Sequence, residues 1–406
     1  MVDELEVSYH EGWDPGARAA VGALSPEVAR GRDHAGEQYA VLLSSAGRPV
    51  AVIEIAWGAH YCATWLLDEE GRRDFVAEGR VLAEGRLFIK RLRQWVYADA
   101  GRPEFDDVAE RRTWVVRLDG QLWLQHEPSG SRGGRTDTGR EVSPDDYWMD
   151  VPEFGDWGAL AGFLAIRGEL SGEVVLREVP GVEGEGLPPE ERPWHPPRPL
   201  RPGRIDLLFT EGTRHRLTTG EEVTVEVWRA GAGRFSSGKV AAADPGWLDS
   251  DVAPFTTAVS PGEYDLVLSR LRLDDPPEAA IVAAARLEIS EQPVASWELA
   301  LRDGQDPRTL GEGEFFGFGV DAGLGCFVDA AALPSLAEIV EEAWEETFSG
   351  DETGPAHEFT DPGTGANLIA FRSGFGDGSY PTWIGRDERG GVACFVADML
   401  VVDEPL

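Results

Sequence analysis

The sequence predicts a mainly β protein, built of antiparallel sheets with α+β character at most, in two domains joined by a Pro/Gly-rich linker. Three observations carry that reading. Short segments rich in β-branched and aromatic residues recur along the whole chain, many with period-2 alternation. Gly, Asp and Pro punctuate them at hairpin-like spacing. One stretch, "VPGVEGEGLPPEERPWHPPRPLRPG" from Val179 to Gly203, is too proline-dense for any regular interior, because proline fixes its own φ and supplies no amide hydrogen. An extended connector is expected there, with Trp194 and His195 exposed on it. It separates a β-rich domain over 1–178 from a second over 204–406, and 406 residues suffice for two cores.

Before the connector, "YAVLLSS" and "RPVAVIEIAWGAHYCATWLLD" read as strands, the latter ending at the turn text "DEEGR". Gly79 and Gly85 break "RDFVAEGRVLAEGRLFIKRLRQWVYA" into two strands rather than one helix. In "TWVVRLDGQLWLQHE", Asp119-Gly120 is a tight-turn dipeptide between alternating apolar residues, so a hairpin is expected. A short helix is expected over Trp157 to Leu164. Beyond the connector, "GEEVTVEVWRA", "PGEYDLVLSRLRL", "AAIVAAARLEI" and "PVASWELAL" continue the strand pattern. One helix stands out near 334–348: Pro334 suits a first turn, Leu336, Ile339, Val340, Ala343 and Trp344 form a stripe, and glutamates occupy the other face.

Charge narrows the function classes. Thirty-seven Lys+Arg against 73 Asp+Glu give a formal net charge of -36, so nucleic acid and anionic membrane are not expected partners, whereas a basic protein partner would be attracted. An acidic proteome explains the net charge equally simply. Lysine occurs only at Lys90 and Lys239, a skew toward arginine that suggests a GC-rich, actinobacterial-type genome. Cys62, Cys326 and Cys394 are widely spaced without a CxxC pair, which predicts neither a disulfide framework nor a zinc site. The N-terminal text has no signal-peptide pattern and no run is long enough to span a bilayer, so a cytoplasmic protein is expected. Seven histidines form no HExxH, and no GxSxG elbow or GxxxxGK[ST] loop occurs. No metal site or cofactor is anticipated, and Cys326 reads as a small buried hydrophobe rather than a nucleophile.

Asp244-Pro245, "PGEY" at Pro261, "SWELA" at Ser296, "GFGVDAGLGCFVDA" at Gly317 and "GFGDGSYPTWIGRDERGGVACFVAD" near the C-terminus together resemble the bacterial family of domain of unknown function 4241. The resemblance runs from about Arg204 to the C-terminus. It implies a bacterial, intracellular domain and brings no activity with it. The first Gly-Asp segment reads as two strand ends joined hairpin-fashion through "DAGLG". The second reads as the start of a three-strand meander, "NLIAFRS", "PTWIG" and "VACFVADMLVV".

Two readings of those turns compete. If Asp321, Asp329 and Asp377 met at one sheet end, they could hold a hard cation or serve as acid and base, with Arg372 or Arg386 orienting an anionic substrate and Tyr380 close by. The spacing is not that of an EF-hand. The simpler reading gives each Asp a backbone amide of its own turn, with Asp321 partly buried and ion-paired to Arg372 or Arg386, and Asp398 treated likewise. The function expected is a non-enzymatic, immunity-like or antitoxin-like interaction protein. The alternative is an Asp-based hydrolase or divalent-metal enzyme.

Overall fold

The computed structural model describes residues 3–82, 85–130, 134–168, 174–179, 186–248, 252–273, 280–348 and 354–405. The chain divides into two compact units, Met1–Arg198 and Pro199–Leu406. Each is mostly antiparallel β, as the alternation patterns predict.

The first unit is one large sheet. From Thr136–Glu141 at one edge, neighbouring strands run back through the chain as an antiparallel meander to Tyr39–Ser45. Asp3–Asp14 follows, and Val174–Glu178 pairs with it in parallel. The Asp119-Gly120 hairpin joins Glu110–Val116 to Gln121–Glu127. Gly120 adopts φ 84°, and a Cβ there would meet the Val142 carbonyl oxygen at 2.7 Å. Arg73–Val81 and Arg86–Val96 are the two strands expected from the glycine breaks; the repeated "AEGR" begins at Ala83, outside the described residues. One sheet face buries Leu5, Val7, Val41, Leu43, Ile53 and Ile55 against Ala29, Trp157, Leu160 and Leu164. Full burial of each large aliphatic stabilises by about 1.5–3 kcal/mol.

A helix that strand patterning hid, Pro26–Ala35, covers part of that face. Its signals are nonetheless local: the Ser25 hydroxyl accepts from the Val28 amide at 3.2 Å, Pro26 opens the first turn, and Gly36 closes the helix at φ 71°. The segment expected to be helical at Trp157 to Leu164 forms one α-turn, Gly158–Ala161, continued as a tighter 3₁₀ turn over Gly162–Arg167.

Residues 186–198 of the proline-rich segment are anchored on the first unit through Leu187, Arg192 and Trp194, although several between them stay exposed, and the anchor is a buried charge. Glu11 has no exposed side-chain surface and is held bidentately by Arg32 at 2.7 and 2.8 Å. Its remaining capacity draws in the Leu187 amide at 2.6 Å, with Arg192 at 3.6 Å. Trp194 donates its indole N–H to the Glu11 carbonyl at 2.8 Å and packs near Tyr61, while His195 remains exposed. Gly186 is required by this crowding, since a Cβ there would collide with both Glu11 and Arg32.

The second unit stacks two sheets and a helix. A nine-stranded sheet runs from Ser296–Leu299 through Gly378–Arg386, Val392–Asp398, Ala280–Glu288, Gly262–Leu273 and Glu222–Phe235 to Arg214–Leu217 and Val402–Pro405. Against it lies a four-stranded sheet of Val240–Ala243, Leu324–Asp329, Asn367–Arg372 and Ala356–Thr360. Three strands of the small sheet, Val240–Ala243, Leu324–Asp329 and Asn367–Arg372, are buried on both faces, while the edge strand Ala356–Thr360 is largely exposed. Phe327, Ile369 and Phe371 point into the core shared with the large sheet, whereas Cys326, Val328, Leu368 and Ala370 face the helix. That helix, Leu333–Phe348, buries Leu336 and Val340 and keeps Glu338, Glu341 and Glu342 exposed, as its stripe predicts.

The Gly-Asp segments depart from the predicted hairpin and meander. Gly317–Val320 pairs with Gly378–Arg386, in register with the large sheet's edge, while Leu324–Asp329 pairs with Asn367–Arg372 in the small sheet. Both turns therefore carry the chain from one sheet to the other. Only Gly378–Arg386 and Val392–Asp398 pair as the expected hairpin. Period-2 alternation is the same whichever sheet a strand joins, so sequence pattern does not separate the two cases.

Candidate functional site

The two sheet-switching turns lie side by side. Val320 pairs with Gly378 on one flank and Leu324 with Arg372 on the other. Between these pairs the Ser373 amide donates to the Gly323 carbonyl at 3.1 Å. Inside the second turn, Gly376 donates its amide to the Ser373 carbonyl at 2.8 Å, and the Ser373 hydroxyl returns a bond to the Gly376 carbonyl at 2.8 Å. The Tyr380 hydroxyl, buried beneath, is shared between the carbonyls of Gly376 at 2.7 Å and Ser373 at 3.1 Å. Burial raises the Tyr380 pKa. Tyr380 is thus the internal strut of the corner.

Asp244 ties down the first turn from outside. Its buried carboxylate accepts from the Asp321 and Ala322 amides at 2.8 Å each through one oxygen, and from the Gly246 amide at 2.8 Å through the other. Three backbone donors on one carboxylate fix the corner relative to the Pro245–Trp247 turn. In the sequence, Asp244-Pro245 stands out only through the family resemblance. The Asp-Pro-Gly spelling does signal the local bond to Gly246, but nothing local signals the bonds to residues 321 and 322.

Asp321 and Asp377 are brought to this corner, and both are exposed. Asp321 is not the partly buried, ion-paired carboxylate that its Val and Ala neighbours suggested. Its amide is anchored by Asp244, which turns the side chain outward, and the carboxylate makes no ion pair among the described residues. Arg372 ends the small-sheet strand beside the turn with its side chain exposed. Two large aromatic residues stand out in the same corner segments: Trp247 is 61% exposed and Phe375 55%.

Asp329 and Arg386 lie elsewhere. Asp329 sits at the opposite end of Leu324–Asp329, where its buried carboxylate accepts from Ser236 Oγ at 2.9 Å, the Ser237 amide at 2.8 Å, the Ser237 hydroxyl and the Ala331 amide at 3.2 Å. Burial by itself would raise its pKa; the hydrogen bonds from Ser237, Ala331 and Ser236 outweigh burial and hold it below the usual carboxylate range. Arg386 is at the far end of Gly378–Arg386, bonded to Glu298 at 2.5 and 2.8 Å and to the Gly390 carbonyl at 2.9 Å. Asp398 is buried and forms no ion pair among the described residues; burial raises its pKa, partly offset by the Leu400 amide at 3.0 Å and the Trp383 side chain. Among the described residues, no three His, Cys, Asp or Glu side chains are grouped as cation ligands. Cys62, Cys326 and Cys394 are free and buried, and burial pushes all three thiols up, Cys394 to about 11.

The second unit also holds an open groove of about 860 Å³, walled by Phe209, Tyr264 and Trp297. Asp206, Glu263, Asp265, Glu288 and Glu291 line it, with Arg286 the one guanidinium among them. Three of these carboxylates already have partners: Glu263 is 3.3 Å from Arg234, Asp265 pairs with Arg229, and Glu288 pairs with Arg286, which stacks on Phe209 at 4.3 Å.

Fold and corner define a two-layer antiparallel β unit with a covering helix, whose chain reversals between layers are fixed by glycine turns and buried carboxylates. Residues 234–397, which contain both turns, Asp329 and Arg386, match the family described as "Protein of unknown function (DUF4241)". The match begins inside Glu222–Phe235, later than the resemblance read from Arg204, and does not extend into the first unit. No curated protein and no solved structure matches the chain. No described helix is long and apolar enough to cross a membrane.

Proposed function

We propose that the protein acts by binding rather than by catalysis, and that its partner is a protein presenting basic side chains to the corner formed by the two sheet-switching turns. The observation that carries this reading is the pairing of exposed Trp247 and Phe375 with exposed Asp321 and Asp377 on a backbone locked by Asp244 and Tyr380. Rigid aromatic residues contribute most of the affinity at protein interfaces, and unpaired carboxylates select cationic partners and speed encounter. The net charge of -36 adds long-range attraction for the same class of partner.

A second reading, Asp-based hydrolysis or cation binding, keeps one supporting observation, the adjacency of the turns that carry Asp321 and Asp377. Asp329 and Arg386 do not contribute to that corner, which leaves Asp321 and Asp377 with Arg372 beside them and no third candidate carboxylate.

The test uses a fluorescent arginine-rich peptide as probe at constant ionic strength. Trp247→Ala/Phe375→Ala, which changes no charge, is expected to weaken binding about tenfold, equivalent to about 1.4 kcal/mol. Asp321→Asn/Asp377→Asn is expected to do the same. Glu338→Gln/Glu341→Gln on the helix removes the same two charges elsewhere and leaves affinity nearly unchanged. Equal loss in the helix control, or no loss in the aromatic pair, overturns the proposal.

A further inference from the structure

In the first unit a cationic platform stands out on the large sheet. Three adjacent strands place alternate residues on one face: Arg91, Arg93 and Trp95 from Arg86–Val96, Arg111, Thr113 and Val115 from Glu110–Val116, and Trp123, Gln125 and Glu127 from Gln121–Glu127. Their registers form three rows, with Arg93, Thr113 and Gln125 in the middle one. Those nine positions hold three guanidiniums and one carboxylate, in a chain where acids outnumber bases 73 to 37.

The carboxylates near this platform are engaged. Glu127 is bonded to Arg111, with one contact at 3.2 Å, and Glu78 on the neighbouring strand lies 2.6 Å from Arg80 and 3.5 Å from Arg91. Arg93 is different. Its Nε donates to the hydroxyl of buried Thr113 at 3.1 Å and its guanidinium lies 5.6 Å from the Trp95 ring centre, but it pairs with no carboxylate among the described residues. Its two terminal nitrogens therefore keep their donors.

We propose that this face is an oxyanion-binding site, with Arg93 as the side chain that recognises a phosphate or carboxylate group. A guanidinium whose Nε is already held by the fold presents its terminal N–H pair in a fixed direction, which suits two oxygens of one anion. Mounting on a sheet strand, with Thr113 and Trp95 setting the rotamer, removes the ordering cost that a mobile surface arginine would pay. The local electrostatics agree: burial first, then the like charges of Arg91 and Arg111, lower the Arg93 pKa despite Glu78 and Glu127. A bound anion would relieve both costs. This site is separate from the corner of the second unit and does not rest on it.

The experiment follows the arginine Nε–Hε signals of the full chain by NMR while inorganic phosphate, and separately acetate, is added at constant ionic strength. The expected result is a saturable shift of the Arg93 signal, assigned by its disappearance in Arg93→Lys. A response to phosphate alone identifies a phosphorylated ligand class, and a comparable response to acetate identifies a carboxylate class. Arg93→Lys keeps a charge but loses the planar fork, so phosphate affinity measured calorimetrically should fall about tenfold. No saturable response to either anion in the wild-type chain overturns the proposal, as does equal affinity in Arg93→Lys. If Arg93→Lys fails to fold, Arg93→Gln supplies the assignment, and a wild-type chain in which no arginine signal saturates still overturns the proposal.

Discussion

The two units satisfy their sequestered carboxylates in different ways. In the first, guanidiniums hold Glu11 through Arg32 at 2.7 Å, Glu78 through Arg80 at 2.6 Å, Asp68 through Arg72 at 2.7 Å and Glu104 through Arg73 at 2.7 Å, while buried Glu54 accepts from the Trp65 indole at 2.8 Å with Arg73 at 3.8 Å. In the second, the buried carboxylates Asp244, Asp329, Asp361 and Asp398 accept from backbone amides, and Asp329 and Asp361 also from hydroxyls. The difference follows from where the acids sit. In the first unit the arginine comes from the helix for Glu11, from the same strand for Glu78, from the same turn for Asp68 and from the strand beside a loop for Glu104. The second unit's acids sit instead at strand ends and turns, where a chain reversal leaves amides unpaired. Asp68, a turn acid with an arginine in reach, takes both kinds of partner. A buried Asp at a Gly turn is therefore a structural anchor here, and functional candidates are the exposed groups those anchors position.

The largest expected effect tests the ion-paired unit. Arg32→Met leaves Glu11 buried with only the Leu187 amide and the longer contact to Arg192, and should cost about 3–5 kcal/mol in denaturant unfolding of the first unit. Glu11→Met/Arg32→Met should recover much of that loss, because removing both charges also removes their desolvation cost. The single variant should also release residues 186–198, read as faster proteolysis of that segment. A double variant no more stable than the single would break the comparison, since Glu11 would then matter for more than its charge.

The amide-anchored unit should respond less. Asp244→Asn keeps one acceptor but turns an amino group toward donors, either Gly246 or the pair at Asp321 and Ala322. The expected cost is about 1–3 kcal/mol, accompanied by faster hydrogen exchange at the Asp321 and Ala322 amides and little dependence on salt. A cost above that of Arg32→Met would reverse the ranking.

The sequence makes one level of this architecture legible and leaves another hidden. Strands such as Glu222–Phe235, the Asp119-Gly120 hairpin and the helix Leu333–Phe348 follow from period, turn chemistry and an apolar stripe, all of which are local. Sheet membership is not local. The "DAGLG" and "GFGDGSY" texts look like hairpin turns because a glycine turn that reverses a strand and one that hands it to a second sheet use the same residues. Of the candidate residues, Asp321 and Asp377 do share a corner, while Asp329 and Arg386 point to partners far along the chain, Ser236, Ser237 and Glu298. The unmatched guanidinium of Arg93 is visible only once strand register shows which acids its neighbours already hold.

The smallest effect at neutral pH is also the sharpest test within the amide-anchored unit, because two of its buried aspartates titrate in opposite senses. Asp329 has its folded pKa lowered, so its carboxylate contributes stability above its unfolded value, about 3.9, and that contribution disappears as pH falls through the folded value. Asp398 has its folded pKa raised by burial, so the folded state holds the proton longer than the unfolded one and stability declines as pH rises through the window above about 3.9. Asp329→Asn should accordingly be destabilising at pH 7 and converge on the wild type in acid. Asp398→Asn should remove an ionisation penalty at pH 7, where it is expected to be neutral or stabilising, and lose that advantage in acid. Unfolding curves of both variants measured across this range give difference profiles of opposite sign. Profiles of the same sign would mean that the number of hydrogen-bond donors on a carboxylate, four on Asp329 against the Leu400 amide and the Trp383 side chain on Asp398, does not decide which buried aspartates this unit keeps ionised.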